Sequence, residues 1–280
     1  MSEPTAAPLA ATVPHAARAR SAAAIERQLS TVARILLPLG AVLLALLLWQ
    51  LAVTLTRTPV FPRPAEVARG FAELQRRGVL WSYAGDSLRR VAFGYAAAAL
   101  LGIALGVPLG RAARLDRLVN PLIQLLRPIS PLAWMPLAVV WFGLSDLAPT
   151  FLIFLSAFFP IVVATTSAVR TIPPAFFRAA SNFALPRGAL LRRVLLPAIV
   201  PRVLTGLRVA LGIAWMVVVA AEMLGVDSGL GYLILDSRNA GKRYDLVIAG
   251  MLMIGAIGLL LDLGMRRLER LKTVRWGFQE

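Results

Sequence analysis

No cysteine occurs in the 280 residues, which excludes disulfides, thiol nucleophiles and zinc–thiolate sites. The single histidine, His15, lies in an Ala/Arg/Pro-rich stretch near the amino terminus. One imidazole in such a tail is inert, so histidine-based metal sites and triads are excluded as well. No catalytic or metal-ligating residue is assigned. Nor does G-x-x-x-x-G-K-[ST] occur, the loop whose backbone amides cradle phosphates, so nothing in this chain hydrolyses ATP. Charge is scarce: 16% of residues are charged, against about a quarter in soluble proteins. Acidic residues number 14 against 30 basic ones.

Apolar residues fill the difference. They make up 58% of the chain, with a mean hydropathy of +0.73, and they come in blocks. Ile35–Leu55, Val91–Leu109, Leu147–Val169, Val209–Val226 and Leu246–Leu263 each approach the roughly 18–20 residues that cross a bilayer as a helix. A sixth block, Pro128–Leu144, is shorter and broken by prolines. The expected fold is an all-α polytopic membrane protein with six transmembrane helices spread over residues 33–280. Residues 1–32 hold few large apolar side chains and read as a disordered cytoplasmic leader, with no apolar core that would make a cleaved signal.

The arginines border the apolar blocks instead of forming one basic domain, so topology explains the +16 charge better than nucleic acid does. With both termini in the cytoplasm, 20 of the 30 basic residues lie on the inner side, in line with the positive-inside bias. Thr56–Arg90 then forms an outer loop with seven arginines, against that bias. Within it, Pro64 opens and Gly78 closes a short amphipathic helix expected to lie on the membrane surface.

Three further patterns stand out. Gly94, Ala98, Gly102, Gly106 and Gly110 recur every four residues, a small-residue face that lets helices approach closely in lipid, either within the chain or between copies. Pro121, Pro128, Pro131 and Pro136 crowd the third span. Each removes a backbone donor, and broken helix at membrane depth is tolerated where it is buried or lines a cavity. Trp134 and Met135 in this span are therefore candidates for the translocation path. Arg208, Glu222 and Asp262 lie in or beside apolar runs, where charge is costly and marks function by default. Asp262 is placed to pair with Arg266 or with Arg208, and Arg208 alternatively to attract an anion. Glu222, near the external mouth, serves either an outer gate or folding.

Arg178–Pro201, "RAASNFALPRGALLRRVLLPAIVP", interrupts the apolar pattern with four arginines and three prolines in its interior and ends. It reads as a helix–turn–helix elbow over about residues 172–197. Its apolar knobs, Phe176, Phe177, Ala180 and Phe183 or Ala184, are presented to a partner with arginines around them, or the arginines only anchor helix ends at lipid headgroups. The elbow, together with "GLRVALGIAWMVVVAAEMLG", "SGLGYLILDSRNAGKRYDLVIAGMLMIGAIGLLLD", "SLRRVAFGYAAAALLGIALGVPLG" and "LLRPISPLAWMPLAVVWFG", resembles ABC importer permease subunits of the nitrate, sulfonate, taurine and bicarbonate class. The resemblance runs from about Pro59 to the carboxyl end. It implies the type I importer permease fold with a cytoplasmic coupling helix, in the bacterial inner membrane. The family writes its coupling segment as Glu-Ala-Ala, three residues, Gly, then Leu and Pro. Here those positions are Arg178, Ala179, Ala180, Ala184, Leu196 and Pro197, with Pro186 and Arg187 at the turn between. Arg178 replaces the glutamate and Ala184 the glycine, and the tightest contact with the partner is implied at Ala179 and Ala180. The implied partners are ATPase subunits that hold ATP and Mg, an extracytoplasmic substrate-binding protein and a second copy of the permease. This chain is implied to bind no cofactor itself. The implied cargo is a small anion such as nitrate, a sulfonate or taurine. An ion-coupled secondary transporter, with Glu222 and Asp262 holding the ion, is the rival reading, and an integral membrane enzyme is disfavoured for want of catalytic groups.

Overall fold

The computed structural model of the chain describes residues 36–56 and 60–270. The expected leader, with His15, and the basic tail residues Lys272 and Arg275 lie outside the described residues. The chain divides at Pro64 into two units. The first holds α1, Leu36–Thr56, a 21-residue helix apolar on every side, as a membrane span is. Beyond it the chain returns, so that the Trp49 indole Nε1 donates to the Pro62 carbonyl at 3.2 Å and its ring lies against Phe61.

Helices joined by turns make up the second unit, with no strand among its described residues. The helix α2, Pro64–Arg76, starts at a proline whose missing N–H costs nothing there. It buries Val67, Gly70 and Leu74 against protein instead of lying free on a surface. Gly70 sits close to the Asp245 backbone, and Glu73 accepts from Arg243 Nη2 at 2.6 Å. That bond holds the Glu73 carboxyl below its ordinary range. Gly78, at φ 70, breaks the chain before α3, Val79–Arg111. At 1.5 Å per residue α3 is about 50 Å long and absorbs a third of what the sequence suggested was outer loop.

The proline-rich segment does not form one straight span. It makes α4, Ala113–Leu126, and then a tight turn, Pro131–Trp134, leading into α5, Met135–Phe142. The two arms meet at 85°. Pro131 and Pro136 sit in the first turn of their helices, where a missing donor is harmless, so the prolines place the break. Among the described residues five helices are long and apolar enough to cross a membrane, and the bent α4–α5 pair makes a sixth crossing when counted as one span.

The core is built by α3, by α6, Leu147–Arg170, and by α9, Leu196–Gly225. The small-residue face of α3 packs inside the chain. A Cβ on Gly94, Gly102, Gly106 or Gly110 would come within 3.0 Å of α6 atoms at Thr150, Ile153, Ile161, Thr165 or Val169. These glycines thus set how closely α3 and α6 approach. At the far end of α9, α10, Leu230–Gly241, and α11, Tyr244–Glu269, pack back on it. The segment between α9 and α11 is therefore a helix with a buried face, not an open loop.

Candidate functional site

Between α6 and α9 the chain leaves the bundle to form the elbow. Pro173 and Pro174 end the α6 direction and start α7, Pro174–Asn182. One face of α7 turns inward. Phe177 packs against a buried cluster that includes Val169, Ile172, Leu195 and Ile199, and Ala180 is 5% exposed. The opposite face leaves Phe176, Arg178, Ala179 and Phe183 exposed, Phe183 at 81%. The four apolar knobs therefore do not share one outward face.

The turn after α7 accounts for Ala184. The Ala184 N–H donates to the Ser181 carbonyl at 2.9 Å and the Leu185 N–H to the Ala180 carbonyl at 3.1 Å. This is the hydrogen-bond pair of a Schellman stop. It puts Ala184 at φ 49, the left-handed region that glycine occupies without cost. The glycine that the resemblance implies at this position would stand where the backbone asks for one. Beyond it, exposed Pro186 accepts from the Leu190 N–H at 3.0 Å, and Arg187 opens α8, Arg187–Leu190. A wide turn over Leu191–Leu195 follows, closed by the Leu196 N–H on the Leu191 carbonyl. Pro197 explains the widening, because it has no N–H to give the Arg193 carbonyl. Leu196 and Pro197 are exposed at the start of α9.

At the other end of α9 lies an ion-paired node. Arg90 of α3 is 2% exposed and Glu222 of α9 wholly buried. Arg90 Nη1 donates to Glu222 Oε1 at 2.7 Å and to the Ser228 carbonyl at 2.9 Å. Its Nη2 donates to Asp146 Oδ1 and to Ser228 Oγ, both at 2.6 Å, and its Nε to Asp146 Oδ1 at 2.9 Å. All five guanidinium donors are used. Glu222 Oε2 accepts from Ser87 Oγ at 2.9 Å and from the Gly231 N–H at 3.0 Å, while Ser87 Oγ accepts from the Leu230 N–H. The first amides of α10, orphaned by helix geometry, are thereby capped from two other helices. Gly229, at φ 105, leaves room for the Glu222 carboxylate, which a Cβ there would meet at 2.3 Å. Asp146, at the head of α6 and half exposed, is held below the usual carboxylate range chiefly by its bonds from Arg90.

A second cluster ties α9 to α11. Arg208 Nε donates to Asp262 Oδ1 at 2.6 Å and Nη1 to Glu269 Oε2 at 3.2 Å, while Arg266 Nε donates to Asp262 Oδ2 at 2.8 Å. Both pairings open to Asp262 are therefore made at once. Met135 is buried among Ala138, Ala148, Leu152 and Ala221, with Trp134 partly buried beside it. Its methyl lies where a side chain on Gly225 would go. Met135 thus seats the bent pair on the core. Of the sequence candidates, Glu222 alone enters the node. Arg90, Asp146, Ser87 and Ser228 were missed, as was Glu269 in the second cluster. One signal for Arg90 was present: it stands four residues before Gly94, in step with the small-residue face.

Comparison with known proteins identifies the architecture. The family model for the binding-protein-dependent transport system inner membrane component matches residues 98–274. The taurine transport system permease protein TauC of Escherichia coli is 34% identical over 253 residues, covering 86% of this chain and 90% of that protein. The nitrate import permease protein NrtB of Leptolyngbya laminosa is 40% identical over 186 residues, 66% of each chain. A chain of the inward-facing MetNI methionine ABC transporter superposes with a TM-score of 0.55 at 17% identity, covering 65% of this chain and 93% of that one. The last likeness bears on fold alone. This chain belongs to the binding-protein-dependent transport system inner membrane components, the permeases of ABC importers.

Proposed function

We propose that the chain is the membrane-spanning subunit of an ATP-driven importer for a small anion. In this reading two copies form the path, two separate ATPase subunits carrying ATP and Mg drive it, and an extracytoplasmic binding protein delivers the solute. Both termini and the elbow face the cytoplasm of a bacterial inner membrane. The observation that carries the reading is the elbow. It is a short helix with exposed aromatic and cationic side chains, yet Phe177 binds it to the same packed cluster that holds α6 and α9, and Ala180 is buried. A force applied to its exposed face is passed directly to two spans. The anion class rests on the relatives, whose named cargoes, taurine and nitrate, share anionic oxygens.

The ion-coupled alternative has little to work with. Glu222 and Asp262, its two carboxylates, already hold arginines. Reconstitution in liposomes with the ATPase and binding protein tests the proposal. Uptake of taurine or nitrate should require ATP and both partners, and solute should stimulate ATP turnover. Uptake by the permease alone, driven by an ion gradient, would replace this reading with the secondary transporter.

A further inference from the structure

We propose that the cavity between the elbow and the start of α9 binds the phosphate headgroup of an anionic phospholipid. The cavity has a volume of about 620 Å³, within the range of ordinary ligand sites, roughly 300–1,000 Å³. Its walls have two characters. Ile172, Phe176, Val194 and Ala198 supply an apolar floor, and Arg193 and Arg202 supply two cations. Arg193 and Arg202 both line the cavity, one from the wide turn before α9 and the other from the first turns of α9.

These cations have no anion of their own. No carboxylate occurs between Asp146 and Glu222, and no ion pair reaches Arg193 or Arg202 among the described residues. Elsewhere the chain supplies counter-ions to arginines in its long helices: Glu222 and Asp146 to Arg90, Asp116 to Arg170, Asp262 and Glu269 to Arg208. At this cavity the anion must come from outside. A free oxyanion would satisfy the cations and leave the apolar floor idle. A phospholipid uses both, with phosphate on the arginines and the first acyl segments on Ile172, Phe176, Val194 and Ala198. Basic pockets between membrane helices take anionic headgroups in this way. The inference needs only that the helices span a bilayer, so it stands apart from the identity of the transported solute.

Native mass spectrometry of the full-length protein in mild detergent tests it, with phosphatidylglycerol titrated against phosphatidylcholine of the same chains. Phosphatidylglycerol should be retained about tenfold more tightly, since a 1.4 kcal/mol preference corresponds to that factor. Arg193→Gln with Arg202→Gln should abolish the preference. Ala198→Trp, which fills the floor and keeps both cations, should do the same, whereas Arg267→Gln on α11 should not. Equal retention by wild type and the double variant overturns the proposal. So does displacement of phosphatidylglycerol by millimolar inorganic phosphate, which would make the site one for free anions. Stoichiometric displacement by the partner ATPase would make it a protein interface instead, and also overturns it.

Discussion

Removing Glu222 would leave the buried Arg90 guanidinium with only the half-exposed Asp146 as carboxylate partner and would uncap the Gly231 amide of α10. Breaking a buried pair from one side typically costs about 3–5 kcal/mol, so the position near one end of a span does not spare the fold. Glu222→Ala is expected to lose most of its folded yield and to melt well below wild type in detergent, read by size-exclusion profile and thermal shift. Glu222→Gln, which keeps acceptors for Ser87 and Gly231, should be milder. A Glu222→Ala protein as stable as wild type would show that the node contributes nothing to folding. Acid acts on the same node through Asp146. Its folded pKa is lowered, so its stabilisation is complete above the ordinary carboxylate range and fades only as pH falls through the lowered value. At this scale the sequence was legible in part. Glu222, Arg208 and Asp262 announce themselves as charges among apolar residues. Arg90 and Asp146 do not, because each sits in a polar stretch and acquires meaning only from partners 132 and 56 residues away.

Elements follow local physics more closely. Apolar runs locate α1, α6, α9 and α11, and the prolines foretell the broken α4–α5 pair. The outer extension of α3 and the buried α10 escaped, since their apolar residues are few and interrupted by polar ones and make no apolar run of span length. The turn of the elbow is where a departure from the family pattern has a measurable effect. Alanine at φ 49 pays about 1–2 kcal/mol that glycine does not, against about 0.4–1 kcal/mol gained by restricting the unfolded chain. Ala184→Gly should therefore stabilise the turn modestly, and Ala184→Val should destabilise it more strongly. Limited proteolysis at the elbow measures both, with slower cleavage expected for glycine and faster cleavage for valine. Faster cleavage of the glycine variant would contradict the Schellman geometry.

For the whole molecule the question is which end faces which compartment. The chain has no cysteine, so single cysteines report accessibility without background. Ser181→Cys on the elbow and Asn239→Cys on α10, both at exposed positions, should be labelled from opposite sides of the membrane, the elbow from the cytoplasm. Labelling of both from one side would break the six-crossing arrangement. The buried node also sets a timetable for biogenesis. Arg90 and Glu222 are 132 residues apart, and at about 5–20 residues per second of synthesis the carboxylate follows the arginine by roughly 7–26 s. Throughout that interval a nascent chain holds a guanidinium in α3 with Asp146 as its earliest acidic partner. A chain that ends before α9 therefore lacks the one carboxylate that meets Arg90 in the buried core, and its α3 keeps a guanidinium that the finished fold pairs.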